Sequence, residues 1–181
     1  MHINDFIEQM CLGELSNLYL GEQGQVELSP MRRKKIIAYT NQGLKALCSR
    51  FQLVQKELII RGKDRMALYP LRKEHSMTNG TSNVKFIDDR MCDPFEGGVI
   101  KILGVFNEMG MEFPINDHQR NDSLFTPSFD TLQITHAVED QGYSVIYQAL
   151  HPIIVDEDCG CQEFNLPPML EEALMAFVAG K

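Results

Sequence analysis

The spacing of the apolar residues in this chain changes at Gly62. Before Gly62 they recur every three to four positions, which is the period of an α-helix. After it they alternate with polar residues in short runs, which indicates β-strands, and the helical period returns near the C-terminus. The pattern predicts an α+β fold. An α-helical bundle of two N-terminal helices and a C-terminal helix would carry an inserted antiparallel β-hairpin or small sheet.

The predicted boundaries follow the same change of period. Residues 1–62 form the N-terminal helical part of the bundle, residues 63–160 the inserted β region, and residues 161–181 the C-terminal helix that completes the bundle. We expect a single structural domain with an insertion, because 181 residues is an ordinary length for one domain.

Ser29-Pro30 predicts the start of a long helix, since a hydroxyl N-cap followed by proline favours helix initiation. This helix follows a first helical stripe in residues 3–20, and we expect it to run to about Arg61 and to end at Gly62. Leu166-Pro167-Pro168 opens the last helix. The apolar stripes predict a bundle core of Leu44, Leu47, Phe51, Val54, Leu58, Leu170, Leu174 and Phe177.

Residues 123–152 read as two strands joined by a turn at Glu139–Gly142. Apolar and polar residues alternate along both arms, and Pro152 ends the second arm because proline cannot continue a central strand. We expect this hairpin to contact a neighbouring subunit through five apolar residues, Leu132, Ile134, Tyr143, Val145 and Tyr147.

Four consecutive cations, Arg32, Arg33, Lys34 and Lys35, lie in the first turns of the predicted long helix. The positive end of the helix dipole disfavours each of them by about 0.3 to 1 kcal/mol. One interpretation is that these side chains are simply solvated. The other is that they dock on an acidic surface of a partner or of a neighbouring copy. Direct nucleic-acid contact is less favoured, because no aromatic residues interleave with the charges.

The sequence carries no recognisable catalytic or phosphate-binding motif, so we expect neither an enzyme nor a cofactor. Cys159-Gly160-Cys161 is the one candidate metal site, completed by His151 or Cys92. A structural zinc site usually has a second pair of ligands, which is missing here, so free thiols and no metal are expected. A small cytosolic metal-binding module that uses Cys159 and Cys161 is the distant alternative.

Composition and charge exclude several classes of protein. The net charge of −8, from 17 basic and 25 acidic residues, argues against binding DNA through a broad basic face. Apolar runs are too short for a membrane span. Asp5 and Glu8 lie where a signal peptide needs basic and apolar residues, so we expect the protein to stay in the cytosol of the cell that makes it.

The order of the parts resembles that of the head-to-tail adaptor (connector) proteins of tailed bacteriophages, particularly short-tailed ones. The resemblance extends from about Gly98 to the C-terminus. It is carried by GVIKILGVFN at residues 98–107, MEFPIND at 111–117, FTPS at 125–128, TLQI at 131–134, SVIYQA at 144–149, HP at 151–152 and LPPMLEEAL at 166–174.

This resemblance implies a structural virion protein without enzymatic activity. Its copies would form a ring, commonly of twelve, in the neck between capsid and tail after synthesis in the bacterial cytoplasm. The implied partners are further copies, the portal protein, tail tube or nozzle proteins, and double-stranded DNA that passes without sequence-specific binding. A tail-side or stopper ring of the same neck is the alternative. The resemblance also implies either more helix beyond the position of Lys181 or a portal contact elsewhere in the chain.

Overall fold

The computed structural model describes residues 2–13, 29–155 and 166–181. Within these residues it contains three α-helices and two antiparallel sheets, which confirms the predicted α+β class. The helices are α1 (Ile3–Leu12), α2 (Pro30–Arg50) and α3 (Pro168–Ala179). The strands are β1 (Gln55–Arg61), β2 (Leu68–Pro70), β3 (Ile87–Asp88), β4 (Val99–Asn107), β5 (Phe125–Ser128), β6 (Thr131–Gln133) and β7 (Gly142–Ala149).

The chain divides into two compact units. Residues 1–53 and 151–181 form a helical unit, and residues 54–150 form a β unit that is inserted between them in the sequence. No helix in the described part of the chain is long and apolar enough to cross a lipid bilayer.

The helical unit is built on the apolar faces of its three helices. Its buried residues are Ile3, Phe6, Ile7, Met10, Ile36, Ile37, Leu44, Ile154, Leu166, Leu174 and Val178. Gly43 lets α3 approach α2, because a Cβ at this position would lie 2.3 Å from Leu174 Cδ1. The Asn41 side chain donates to the carbonyl of Ile154 and accepts from its N–H, each at 2.9 Å. These bonds attach the segment that follows the β unit to α2.

The predicted end of the long helix was wrong. Helix α2 begins at Pro30 as expected but ends at Arg50, and residues 55–61 form β1 instead of further helical turns. Strand β1 pairs with β7 along its whole length, so long-range hydrogen bonding overrides the local helical spacing.

The shorter helix changes the predicted bundle core. Leu44 and Leu174 are buried in the helical unit, where Leu47, Leu170 and Phe177 pack against the core. Phe51 is 46% exposed, in contrast to the prediction. Val54 and Leu58 lie beyond the end of α2, so they cannot contribute to its apolar face. Both contribute instead to the hydrophobic core of the β unit.

The β unit contains two sheets, with strand orders β3-β1-β7-β4 and β2-β6-β5. All named neighbouring strands pair antiparallel. Both sheets contribute to one hydrophobic core, whose largest fully buried side chains are Tyr69, Phe86, Ile60, Leu71, Ile87 and Leu132.

The predicted hairpin between residues 131 and 149 was also wrong. Strands β6 and β7 both exist, but they belong to different sheets. The hairpin in this stretch is β5–β6, which turns through Phe129 and Asp130. Of the predicted contact residues, Leu132 and Val145 are fully buried, and the other three, Ile134, Tyr143 and Tyr147, are at most 3% exposed. Their side chains fill the core of the β unit, so the folded unit does not offer them to a second copy.

Candidate interaction surface

The outer face of the four-stranded sheet carries an exposed apolar centre. Register places Ile59 of β1 opposite Ser144 of β7, which in turn lies opposite Phe106 of β4. Directly opposed residues share one face of a sheet, and Ile146 lies one pair further along β7. Ile59 is 39% exposed, and Ile146 and Phe106 are half-buried. Apolar residues are usually buried on the inner face of such a sheet, so this centre is a candidate contact surface.

Gly104 shapes this centre. A Cβ at Gly104 would lie 3.1 Å from a ring carbon of Phe106, so the aromatic ring rests against the bare backbone of its own strand. A shallow depression of about 450 Å³ lies on the outer sheet face, and Ile59, Phe106 and Ile146 help to line it.

Three glutamates surround the apolar centre. The Ser144 hydroxyl donates to Glu57 Oε1, and the Gly142 N–H donates to Glu108 Oε1 at 2.8 Å. Glu112 Oε1 would lie 3.6 Å from a Cβ at Gly104. We call these three glutamates together with Ile59, Phe106 and Ile146 the acidic sheet face.

The one arginine at the edge of the acidic sheet face does not neutralise it. Arg61 Nη2 lies 2.9 Å from Asp88 Oδ2, and Arg61 Nε donates to the same oxygen at 3.0 Å. This pair is neutral, so the charges of Glu57, Glu108 and Glu112 remain. The face therefore combines an apolar centre with three negative charges.

The structure places the predicted basic run in the first turns of α2. Arg33 is half-buried and donates to Asn4 Oδ1 of α1 at 2.6 Å, so part of the run is used within the helical unit. Arg32, Lys34 and Lys35 are exposed. The sequence places no acidic residue in this first turn, so the unfavourable interaction with the helix dipole is not offset there.

Met31 extends the basic run with an exposed apolar side chain. It is 72% exposed and stands three and four positions before Lys34 and Lys35. Side chains at these separations are neighbours on a helix surface. We call Met31, Lys34 and Lys35 the basic surface.

Asp89 is the centre of a polar network in the β unit. Its carboxylate accepts hydrogen bonds from the hydroxyls of Ser76 and Thr78 and from the backbone N–H groups of Thr78 and Phe95. Burial alone would raise the pKa of Asp89, but these hydrogen bonds outweigh it and hold the pKa well below its usual range. The network ties the loop at Ser76–Thr78 to the segment before β4, which is a structural role.

Asp130 organises the turn of the β5–β6 hairpin. Its carboxylate accepts hydrogen bonds from Arg72 Nε at 3.0 Å, from the Ser128 hydroxyl at 3.0 Å and from the Thr131 hydroxyl at 3.1 Å. Burial would raise its pKa, whereas the bonds from Arg72, Ser128 and Thr131 lower it. The turn presents Phe129, which is 63% exposed.

The structure brings together no metal site in its described residues. Cys159 and Cys161 lie outside those residues. His151 Nδ1 is 2.6 Å from the carbonyl oxygen of Pro152, and Cys92 is exposed. Residues 2–13, 29–155 and 166–181 contain no group of three or more His, Cys, Asp or Glu that could hold a metal ion.

A comparison with protein-family models gives no match. A comparison with curated proteins gives no significant match.

The acidic sheet face is the feature that sequence reasoning missed. Between Glu57 and Arg61 the sequence has three consecutive apolar residues, Leu58, Ile59 and Ile60. A short apolar run of this kind fits a helix as well as a strand, so it gives no separate signal for an exposed sheet face.

Proposed function

We propose that this chain is a structural virion protein whose copies form an adaptor ring. The ring joins the portal vertex of the capsid to the tail and lines the channel through which DNA leaves. The observation that carries the proposal is the order of the parts. Both ends of the chain build one helical unit and a β unit is inserted between them, as in the phage adaptors that the sequence resembles from Gly98 onward.

The charge of the chain supports a channel component rather than a DNA-binding protein. With a net charge of −8, the protein as a whole repels phosphate instead of holding it. DNA that leaves a capsid must pass the neck without being retained, and an acidic wall meets that requirement. The basic run on α2 is local, and its exposed cations suit contact with an acidic protein surface.

Sedimentation velocity tests the proposal. The chain is mixed with the portal protein of the virus that encodes it, and each protein is also run alone. We expect a complex whose added mass corresponds to about twelve chains per portal ring, because each portal subunit would offer an equivalent site. The portal of an unrelated long-tailed phage is the control and should add no mass.

Two other outcomes of the sedimentation experiment would overturn or change the proposed adaptor function. Absence of a complex with the portal at every ratio would overturn the adaptor function. Binding only to a portal that already carries another neck protein would replace the adaptor by a tail-side or stopper ring.

A further inference from the structure

We propose that the acidic sheet face of one copy receives the basic surface of the next copy in the ring. This inference rests on the proposed function, since it names the two surfaces by which neighbouring copies meet. It concerns contact between different copies of the chain, in which the helical unit of one copy meets the β unit of another.

The two surfaces are complementary in polarity. The acidic sheet face has an apolar centre at Ile59 and Phe106 with carboxylates around it. The basic surface has an apolar side chain, Met31, with Lys34 and Lys35 beside it. Stable interfaces have this arrangement of an apolar core inside a charged rim. Methionine suits such a contact, because its flexible side chain adapts to a shallow depression.

The carboxylates keep acceptor capacity for a partner. Glu57 and Glu108 each accept one hydrogen bond through Oε1, from Ser144 and Gly142. Among the described residues, no hydrogen bond or ion pair involves the Oε2 atom of either glutamate. Each can therefore accept a bond from a lysine of another copy without losing the contact that positions it.

An anionic partner would also stabilise the basic surface electrostatically by a second effect. Lys34 and Lys35 make no ion pair within the part of the chain that the structure describes, and they lie near the positive end of the α2 dipole. Carboxylates that approach this end interact favourably with the dipole as well as with the lysines. The contact would therefore offset an electrostatic cost that the isolated helix carries.

Two different surfaces that recognise each other produce a head-to-tail contact. Such a contact leaves one acidic sheet face and one basic surface unused in a dimer, so addition of copies continues until the chain of subunits closes. A closed set of these contacts is a ring, which is the assembly that the proposed function requires.

Isotope-resolved cross-linking tests whether the contact exists between copies. Chains labelled with ¹⁴N and with ¹⁵N are mixed, at high concentration and again with portal present, and treated with a zero-length carbodiimide that joins lysine to glutamate. We expect mixed-isotope peptides that link Lys34 or Lys35 to Glu57, Glu108 or Glu112. Links found only within one isotope would place the contact inside a single chain and overturn the inference. Absence of these links in both samples would also overturn it.

Charge exchange gives an independent readout by sedimentation. Lys34→Glu with Lys35→Glu, or Glu57→Lys with Glu112→Lys, should each weaken self-association about tenfold, because attraction at two positions becomes repulsion. The variant that carries all four changes should regain most of the wild-type association. A fourfold variant no better than either pair would overturn the inference.

A matched control makes the same charge reversal at two other positions of α2. Lys45→Glu with Arg50→Glu changes two exposed cations of the same helix and should leave self-association unchanged. If this control weakens association as much as the Lys34 and Lys35 changes, net charge and not this contact is responsible, and the inference is overturned.

Failure of the inference and failure of the proposed function are distinguishable. A ring that still forms on the portal with Lys34→Glu and Lys35→Glu would overturn the inference and leave the adaptor function standing. A wild-type chain that ignores the portal would overturn the function, while the cross-links of the chain alone would still decide whether the two surfaces meet.

Discussion

Replacing Asp89 by asparagine tests the claim that a charged network holds the β unit together. The change keeps the size of the side chain and removes its negative charge. Oδ2 of Asp89 accepts from Ser76 Oγ at 2.7 Å, from the Phe95 N–H at 2.9 Å and from the Thr78 hydroxyl, and Oδ1 accepts from the Thr78 N–H at 3.1 Å. The variant can keep the three bonds to one oxygen, but its amide group would then face the Thr78 N–H.

The expected cost follows from these four bonds. A hydrogen bond to a charged group contributes about 1.5 to 3 kcal/mol and a neutral one about 0.5 to 1.5 kcal/mol. Asp89→Asn loses one charged bond and weakens three. Asp89 is half-buried, so part of this loss is recovered by water. We expect the free energy of unfolding of the β unit to fall by about 3 kcal/mol at pH 7.

The same substitution has a defined pH dependence. Hydrogen bonding lowers the folded-state pKa of Asp89 below its unfolded value, so its contribution to stability is fully present above the unfolded pKa of about 3.9. The contribution is lost as the pH falls further towards the folded-state pKa. The difference between wild type and Asp89→Asn should therefore be constant from pH 7 to about pH 5 and shrink below about pH 4.

Urea unfolding measures this difference. The chain contains no tryptophan, so near-ultraviolet circular dichroism of tyrosine is the appropriate signal, and Tyr69, Tyr143 and Tyr147 all lie in the β-unit core. Asp93→Asn is the matched control, because the Asp93 side chain is 80% exposed and lies 3.9 Å from Lys56 Nζ. Equal unfolding free energies of Asp89→Asn and Asp93→Asn at pH 7 would show that the Asp89 network does not stabilise the β unit.

Three further substitutions test the packing of the two units. Leu132→Ala should lower the unfolding free energy of the β unit by about 2 to 5 kcal/mol, because Leu132 is fully buried; an unchanged urea midpoint with impaired assembly would instead make it a contact residue. Gly43→Ala should destabilise the helical unit by about 1 to 3 kcal/mol, seen as a lower melting temperature at 222 nm, because the added methyl group would overlap Leu174. Phe51→Ala should lower the unfolding free energy of the helical unit by less than about 1 kcal/mol in the same melting experiment, since Phe51 is 46% exposed. A loss above about 3 kcal/mol would show that Phe51 belongs to the bundle core, as the sequence predicted.

Local signals predicted where the helices begin but not where α2 ends. Ser29-Pro30 marks the start of α2, and proline opens α3 in the same way. Leu58 fits two periods at once, because it stands four positions after Val54 and two positions before Ile60. Pairing of β1 with β7, in which the paired residues are 81 to 93 positions apart in the sequence, decides between the two periods. Sequence spacing alone contains no information about that partner.

The predicted hairpin failed for a related reason. The alternation around Leu132 and Tyr143 correctly indicates two strands, because a period of two residues is a property of each strand by itself. The choice of partner is a property of the whole β unit. Strand β7 pairs with both β1 and β4, and its inward-facing residues Tyr143, Val145 and Tyr147 lie in the hydrophobic core of the β unit.

The acidic sheet face could not be assembled from the sequence without this topology. Glu57 and Ile146 are neighbours only because β1 and β7 pair in their observed register. Phe106 lies beside them because β4 pairs with β7. Glu108 is held nearby by the hydrogen bond that it accepts from the Gly142 N–H. The basic run, in contrast, is contiguous, so its location at the start of α2 was predictable from composition and helix signals alone.

Electron microscopy of the chain mixed with the portal of its virus tests whether the chain is an adaptor. Images of the mixture are compared with images of each protein alone. We expect an added ring of density at the narrow end of the portal, with the copy number given by its symmetry. A portal that remains bare in the mixture, at concentrations where the chain is folded, would contradict the adaptor function.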